Sequence, residues 1–196
     1  MRVYKATTAS MTCTRGSGTY QYQQQVPATA ESSKCANRGL HACEYVLDCM
    51  NYYSLDGKNR FWLAEADGSI DEDGQNSRIA CEQLTLIREL TRKEIVEHAI
   101  TYMVRHPNRK WQIHDLRTRA EKDQAEGIGD GIVIARGERP IARGKKGDIL
   151  GFLAEWEPGW FQAVARCEVD GKTIKEDCWY SVLPNGQVAE VTQNED

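Results

Sequence analysis

The sequence predicts an α+β protein: a mixed α/β domain over residues 1–107, a linker at 108–126, and a small antiparallel β module over 127–196. Three observations carry this reading. Strand-like runs and helix-like periodicity interleave before residue 107. A charged, polar stretch follows them. Beyond residue 127, short apolar runs are separated by Gly-bearing turns.

In the first part, "RVYKAT" (2–7) reads as a strand. Residues 8–36 are rich in Thr, Ser and Gln and predict a long loop or irregular hairpin around "TYQYQQQV". "GLHAC" (39–43) is a short strand. Tyr45, Val46, Cys49, Met50 and Tyr53 then share one helical stripe, so a strand–helix corner is expected over 37–53. In that corner Leu40 and Ala42 face one side, His41 and Cys43 the other. "RFWLAEA" (60–66) is a strand, "DGSIDEDGQNS" an acidic loop, and "SRIACEQLTLI" (77–87) a strand covered on both faces. The clearest helix is "TRKEIVEHAITYMVRH" (91–106). Thr91 and Glu94 have capping-box spacing, Ile95 to Val104 supply an apolar face, and Pro107 follows its end.

The last third contains a direct repeat of period seven, "IARGERP" (134–140) and "IARGKKG" (141–147), which suggests stacked strands or a small β-roll. "DILGFLAEW", "FQAVARCEV" and "CWYSVL" read as strands. Asp170-Gly171 and Asn185-Gly186 are hairpin turn signals, because these residue types tolerate positive φ.

The bulk numbers exclude some function classes. The 196 residues are 40% hydrophobic and 28% charged, with a formal net charge of -4, which is globular composition without the basic excess that gripping nucleic acid requires. No run approaches the length of a membrane helix, and "MRVYKATTAS" lacks the apolar segment of a signal peptide. A cytoplasmic protein with seven reduced Cys is therefore expected.

Candidate chemistry is sparse. Cys35, His41, Cys43 and Cys49 are spaced C-x5-H-x-C-x5-C, with no CxxC anywhere, so no metal site is expected and packed thiols are preferred. Cys43 beside His41 has the residue types of an activated nucleophile, but a packed thiol at a strand–helix junction outweighs it. "GIGDG" (127–131) and "RGKKG" (143–147) miss the spacing of phosphate loops. Arg136, Arg139, Arg143, Lys145 and Lys146 form a local basic cluster, read as an anion site or a solvated repeat edge. Trp156 and Trp160, with Arg136 and Arg143, are the candidate protein-contact residues, since Trp is enriched at binding hot spots; the competing reading puts some of Trp156, Trp160 and Trp179 in the module's core.

Residues 37–86 resemble ADP-ribosyltransferases of the poly-ADP-ribose polymerase type. The resemblance rests on "GLHAC", the segment ending "MNYY", "RFWLAEADGSI" and "IACEQLTL" in that order. It implies that fold, a catalytic carboxylate at Glu82, and a ligand wall at Lys5, His41, Tyr52 and Tyr53, with NAD as cofactor. The first strand reads Tyr4-Lys5-Ala6 where that family has His-Gly, and His41 stands where it has a stacking Tyr. These departures imply a retained fold without the NAD chemistry.

The chain is also similar to an uncharacterised domain family of phages, prophages and gut bacteria. The matching stretches are "VYKAT", "GLHACEYVLDCMNYY", "LAEADGSI", "CEQLTLIREL" and "VDGKTIKEDCWY". Together the resemblances imply a phage-encoded, non-catalytic binding protein in the host cytoplasm. It would engage a host factor, such as a component of antiviral defence, or a nucleotide-like ligand, and need no cofactor. The alternative is a divergent NAD-dependent ADP-ribosyltransferase using Glu82.

Overall fold

The computed structural model describes residues 1–14, 18–72, 74 and 76–192. Strand accounts for 50% of the chain and helix for 11%, so the α+β expectation fails: the protein is mostly β, with a barrel-like sheet. Two compact units are present, Met1–Thr91 and Arg92–Asp196. The division falls between Thr91 and Arg92, before the long helix.

The first unit contains β1 (Arg2–Thr8), β2 (Thr12–Cys13), β3 (Tyr20–Gln21), β4 (Pro27–Thr29), β5 (Leu40–Cys43), a 3-10 helix (Val46–Asn51), β6 (Asn59–Glu72) and β7 (Arg78–Glu89). The main sheet runs β4-β7-β5-β1-β6, and β6 pairs again with β7, so β7, β5, β1 and β6 close into a ring. Alternation decides what fills it. Val3 faces Ala64, Ala42 faces Ile79, Leu40 faces Cys81, and Ala66 faces Leu84. These residues form one buried core together with Trp62, Leu86 and Tyr22. The indole of Trp62 is fully buried, and its Nε1 donates to Thr7 Oγ1 at 3.0 Å.

Two local expectations fail for identifiable reasons. The segment after Cys43 is a six-residue 3-10 helix, not a longer α-helix. No side-chain hydrogen bond caps its start, and the carboxylate of Asp48 in its first turn is engaged elsewhere, accepting from Ser77 N at 3.0 Å and Ser77 Oγ at 2.7 Å. Its apolar residues still pack inward: Tyr45, Val46, Cys49, Met50 and Tyr53 are all buried. "DGSIDE" (67–72), expected as a loop, continues β6. A bulge between Asp67 and Ile70 absorbs Gly68, and pairing with β7 resumes through Glu72. Asp73 and Gln75 of that expected loop, and residues 15–17 of the expected loop at 8–36, lie outside the described residues.

The second unit contains α1 (Arg92–Arg105), β8 (Ile113–His114), β9 (Thr118–Glu126), β10 (Ile132–Arg143), β11 (Ile149–Glu157), β12 (Trp160–Glu168), β13 (Tyr180–Val182) and β14 (Val188–Glu190). The expected linker at 108–126 therefore carries two strands. α1 starts just after Thr91 and buries Ile95, Val96, Ala99, Ile100 and Met103. A Cβ at Gly151 of β11 would lie 3.0 Å from Val96, so that glycine lets the helix settle on the sheet. Val104, expected on the apolar face, is exposed.

The sheet is mixed rather than antiparallel: β9–β10 and β10–β11 are parallel. Parallel neighbours usually need a crossover of a dozen or more residues. Here each strand bends and supplies its own return. Thr118–Lys122 run beside Ile132–Arg136, the register shifts, and Gln124–Glu126 then run beside Ile141–Arg143. The corner is at Asp123 (φ 62), packed against Gly137, where any Cβ would strike the Asp123 carboxylate. The two "IARG" copies are the two arms of one bent strand, not two stacked strands. Thr118 pairs with Ile132 at an offset of 14 (132 − 118), twice the seven-residue period.

Asp148 organises these turns. It is fully buried and accepts three backbone N–H bonds, from Gly129 (3.0 Å), Gly131 (2.8 Å) and Lys145 (2.8 Å). The two Gly-rich loops weighed as phosphate cradles thus hold an internal carboxylate. Asn185-Gly186 makes the β13–β14 hairpin as expected. Asp170-Gly171 instead opens a longer loop, in which Asp170 Oδ1 accepts from the N–H groups of Lys172, Thr173 and Ile174.

Replacing Asp148 with Ala leaves the buried N–H donors of Gly129 and Gly131 and the half-buried one of Lys145 unsatisfied, each costing about 1–3 kcal/mol. The expected outcome is a loss of at least about 3 kcal/mol in urea unfolding of the full chain, with Asp148→Asn intermediate.

Candidate functional site

The barrel of the first unit is laced unevenly. β1 pairs with β6 along its whole length, from Arg2↔Glu65 to Thr8↔Asn59. It meets β5 at one register only, Tyr4↔Cys43. Beyond that pair the two strands separate, and a cavity of about 620 Å³ opens there. Segments 18–22, 30–32 and 36–39 complete its walls, with Tyr52 and Tyr53 at the end of the 3-10 helix.

Lys5 reaches across the gap. Its Nζ donates to the carbonyl oxygen of His41 at 2.6 Å, lies 3.6 Å from Cys13 Sγ, and sits 5.5 Å from the centre of the Tyr22 ring. The residue is only 6% exposed. Tyr53 donates its hydroxyl hydrogen to Cys13 Sγ at 3.4 Å and accepts from Thr14 N at 3.1 Å. Tyr52, on the cavity wall, accepts from Arg78 Nη1 at 3.0 Å, which tethers its ring. Among the described residues the charged ones lining it are Lys5, Arg38 and Arg78 against Glu31.

Two of the neighbouring thiols are held protonated by burial and bonding. Cys43 is hydrogen-bonded to Cys49 and buried, and both effects push its thiol well above the ordinary range; nearby Lys5 opposes them without prevailing. Burial pushes Cys81 from 9.0 up to about 11. Burial and the bond to Cys13 raise the Tyr53 hydroxyl as well. A protonated Cys43 is no nucleophile at neutral pH. Cys35 donates to Arg78 O and Cys49 to Tyr4 O. Among the described residues no three His, Cys, Asp or Glu side chains converge on a metal-sized position.

The structure brings Lys5, His41, Tyr52 and Tyr53 onto one cavity. It does not bring Glu82 there. Glu82 lies two residues along β7 from Ala80, the partner of His41, but its Oε2 accepts from Ser69 N at 3.1 Å and braces the β6 bulge. Arg136 is buried, 4% exposed, paired with Glu155 at 2.7 Å and flanked by Trp111 and Phe161, so it offers no contact surface. Arg143 pairs with Glu126 and lies over Trp179, which fills the core. Trp156 and Trp160 are exposed, 61% and 63%, with ring centres 6.2 Å apart.

Several wall residues escaped the sequence reading. Tyr22 is almost fully buried, though it lies in a polar stretch expected to be loop. Its alternation with Tyr20 in "TYQYQ" was the available signal. Arg38 and Arg78 carried no local signal, because only the fold brings them to the same cavity.

The profile of the Domain of unknown function (DUF7666) matches residues 1–98, half of the chain. The chain belongs to the DUF7666 family. That segment contains every residue described as lining the seam cavity. No curated protein and no solved structure matches the chain. No helix among the described residues is long and apolar enough to cross a membrane.

The thiol shifts fix the sign of the alkaline response. Below pH 9, folded and unfolded Cys81 are both protonated. Between 9.0 and about 11 only the unfolded thiol ionises, so stability falls as pH rises through that window. Urea titrations from pH 8 to 11 are expected to show a decline on the order of 2 kcal/mol that Cys81→Ala partly removes.

Proposed function

We propose that the protein is a non-catalytic binding protein that holds a small, nucleotide-like ligand in the seam cavity of its first unit. One observation carries this reading: the β1–β5 seam of the barrel is left open, and five tyrosines line the gap beside Leu40 and a few alanines. Filling a core needs no such opening. Planar aromatic faces and scattered polar groups in a concavity of several hundred Å³ are the features of a ligand pocket. The setting we propose is the one its sequence pattern implies, a phage-encoded protein that captures a host ligand.

The test is differential scanning fluorimetry with a panel of nucleosides and nucleotides, followed by titration calorimetry on those that act. At least one member is expected to raise Tm by several degrees, with Tyr52→Ala weakening it about tenfold or more, the worth of one base–aromatic stack. A panel that leaves Tm unmoved, together with native mass spectrometry showing no co-purified small molecule, defeats the proposal.

Glu82 separates this reading from the transferase alternative. Glu82→Gln is expected to leave ligand affinity within twofold and to cost no more than about 1 kcal/mol, the worth of one exposed hydrogen bond. Turnover of NAD by the wild type that vanishes in this variant would reverse the choice. A protein partner is the second reading, favoured by the exposed Trp156–Trp160 pair. Under it, the double Trp→Ala variant loses a partner that the wild type retains at equal concentration.

A further inference from the structure

Lys5 is a buried cation with an unusual set of partners. It is 6% exposed, yet among the described residues no carboxylate lies within ion-pair distance of its Nζ. Taking an ammonium out of water without a counter-charge costs several kcal/mol. The His41 carbonyl satisfies one of its three donors, and a thiol at 3.6 Å serves another weakly. The Tyr22 ring, 5.5 Å away, returns only part of that cost. A neutral amide or hydroxyl would hold the His41 carbonyl at far lower cost, so bridging the seam does not by itself explain a lysine.

The surroundings deepen the imbalance. Arg38 and Arg78 line the same cavity, and among the described residues Glu31 is the single acidic one on its wall. A site with this charge excess is complementary to an anion. Its volume, about 620 Å³, and its five tyrosines, Tyr4, Tyr20, Tyr22, Tyr52 and Tyr53, exceed what an inorganic ion uses.

Resting on the proposed binding function, we infer that the ligand is a nucleoside phosphate whose phosphate is received by Lys5 and whose base is received by the tyrosine wall. The phosphate supplies the missing counter-charge and takes the free ammonium donors in charge-assisted hydrogen bonds. Arg38 and Arg78 steer the anion to the mouth. Tyr52, tethered by Arg78, offers a ring face already fixed in place, so little order is lost on binding.

The experiment is titration calorimetry of the full chain with the four common nucleoside 5′-monophosphates, the parent nucleosides and inorganic phosphate, at 50 and 300 mM salt. A monophosphate is expected to bind about tenfold or more tightly than its nucleoside, equivalent to about 1.4 kcal/mol. High salt is expected to shrink that gap and leave the nucleoside unaffected. Lys5→Met is expected to bring the two ligands within twofold, and Lys5→Arg to keep most of the preference. Should Lys5→Met fail to fold, the salt dependence on wild type still decides.

Equal binding of nucleoside and monophosphate by the wild type overturns the phosphate assignment while leaving the cavity reading intact. Inorganic phosphate matching the monophosphates overturns the base assignment. No binding by any member overturns this inference and the proposed function together.

Discussion

A ring of four strands has four seams, and in the first unit three are laced by hydrogen bonds while the fourth is held at Tyr4↔Cys43 alone. Backbone N–H and C=O groups inside a protein must find partners. Where β1 and β5 part, the ladder cannot supply them, so a side chain does: the Lys5 ammonium takes the His41 carbonyl. The cavity, its tyrosine walls and its excess positive charge all follow from that incomplete closure. A full β1–β5 ladder would zip the gap shut and remove the site.

Holding the other seams firm makes this opening affordable. β6 and β7 are the longest strands of the unit and pair with each other almost end to end, with bulges where the register shifts. Trp62, Leu84 and Leu86 sit in the interior they enclose. Glu82 belongs to this framework, since its carboxylate secures the bulge that lets β6 curve past Gly68. The carboxylate of the residue that a sequence pattern marks as catalytic here accepts a backbone N–H at a strand bulge.

In the second unit the governing constraint is the corner, not the seam. A chain that stacks parallel arms without crossover helices must turn tightly every few residues, and each turn exposes backbone donors. One buried carboxylate, Asp148, gathers three of them. Gly137 supplies the clearance the Asp123 corner requires. The loops that superficially suit a phosphate are already occupied by the protein's own anion.

What the sequence determined by itself is local. Apolar alternation set which way Leu40 and Ala42 face, and it foretold the buried stripe from Tyr45 to Tyr53. Periodicity and the Thr91 start located α1, and Asn185-Gly186 marked its hairpin. Lys5, His41, Tyr52 and Tyr53 were legible as a group through a family resemblance, although the fold implied by it was not the one found. The tertiary structure decided the rest. Helix periodicity over nine residues cannot tell an α-helix from a 3-10 turn pinned by Asp48 and Ser77. The parallel pairing of β9, β10 and β11 depends on bends at Asp123 and Gly137, which composition does not reveal. Charge in the cavity comes from Lys5, Arg38 and Arg78, far apart in the chain and joined only when the ring closes. Local patterns register what each residue prefers against its neighbours; which side chains share one enclosed space is settled by strand pairing over long separations.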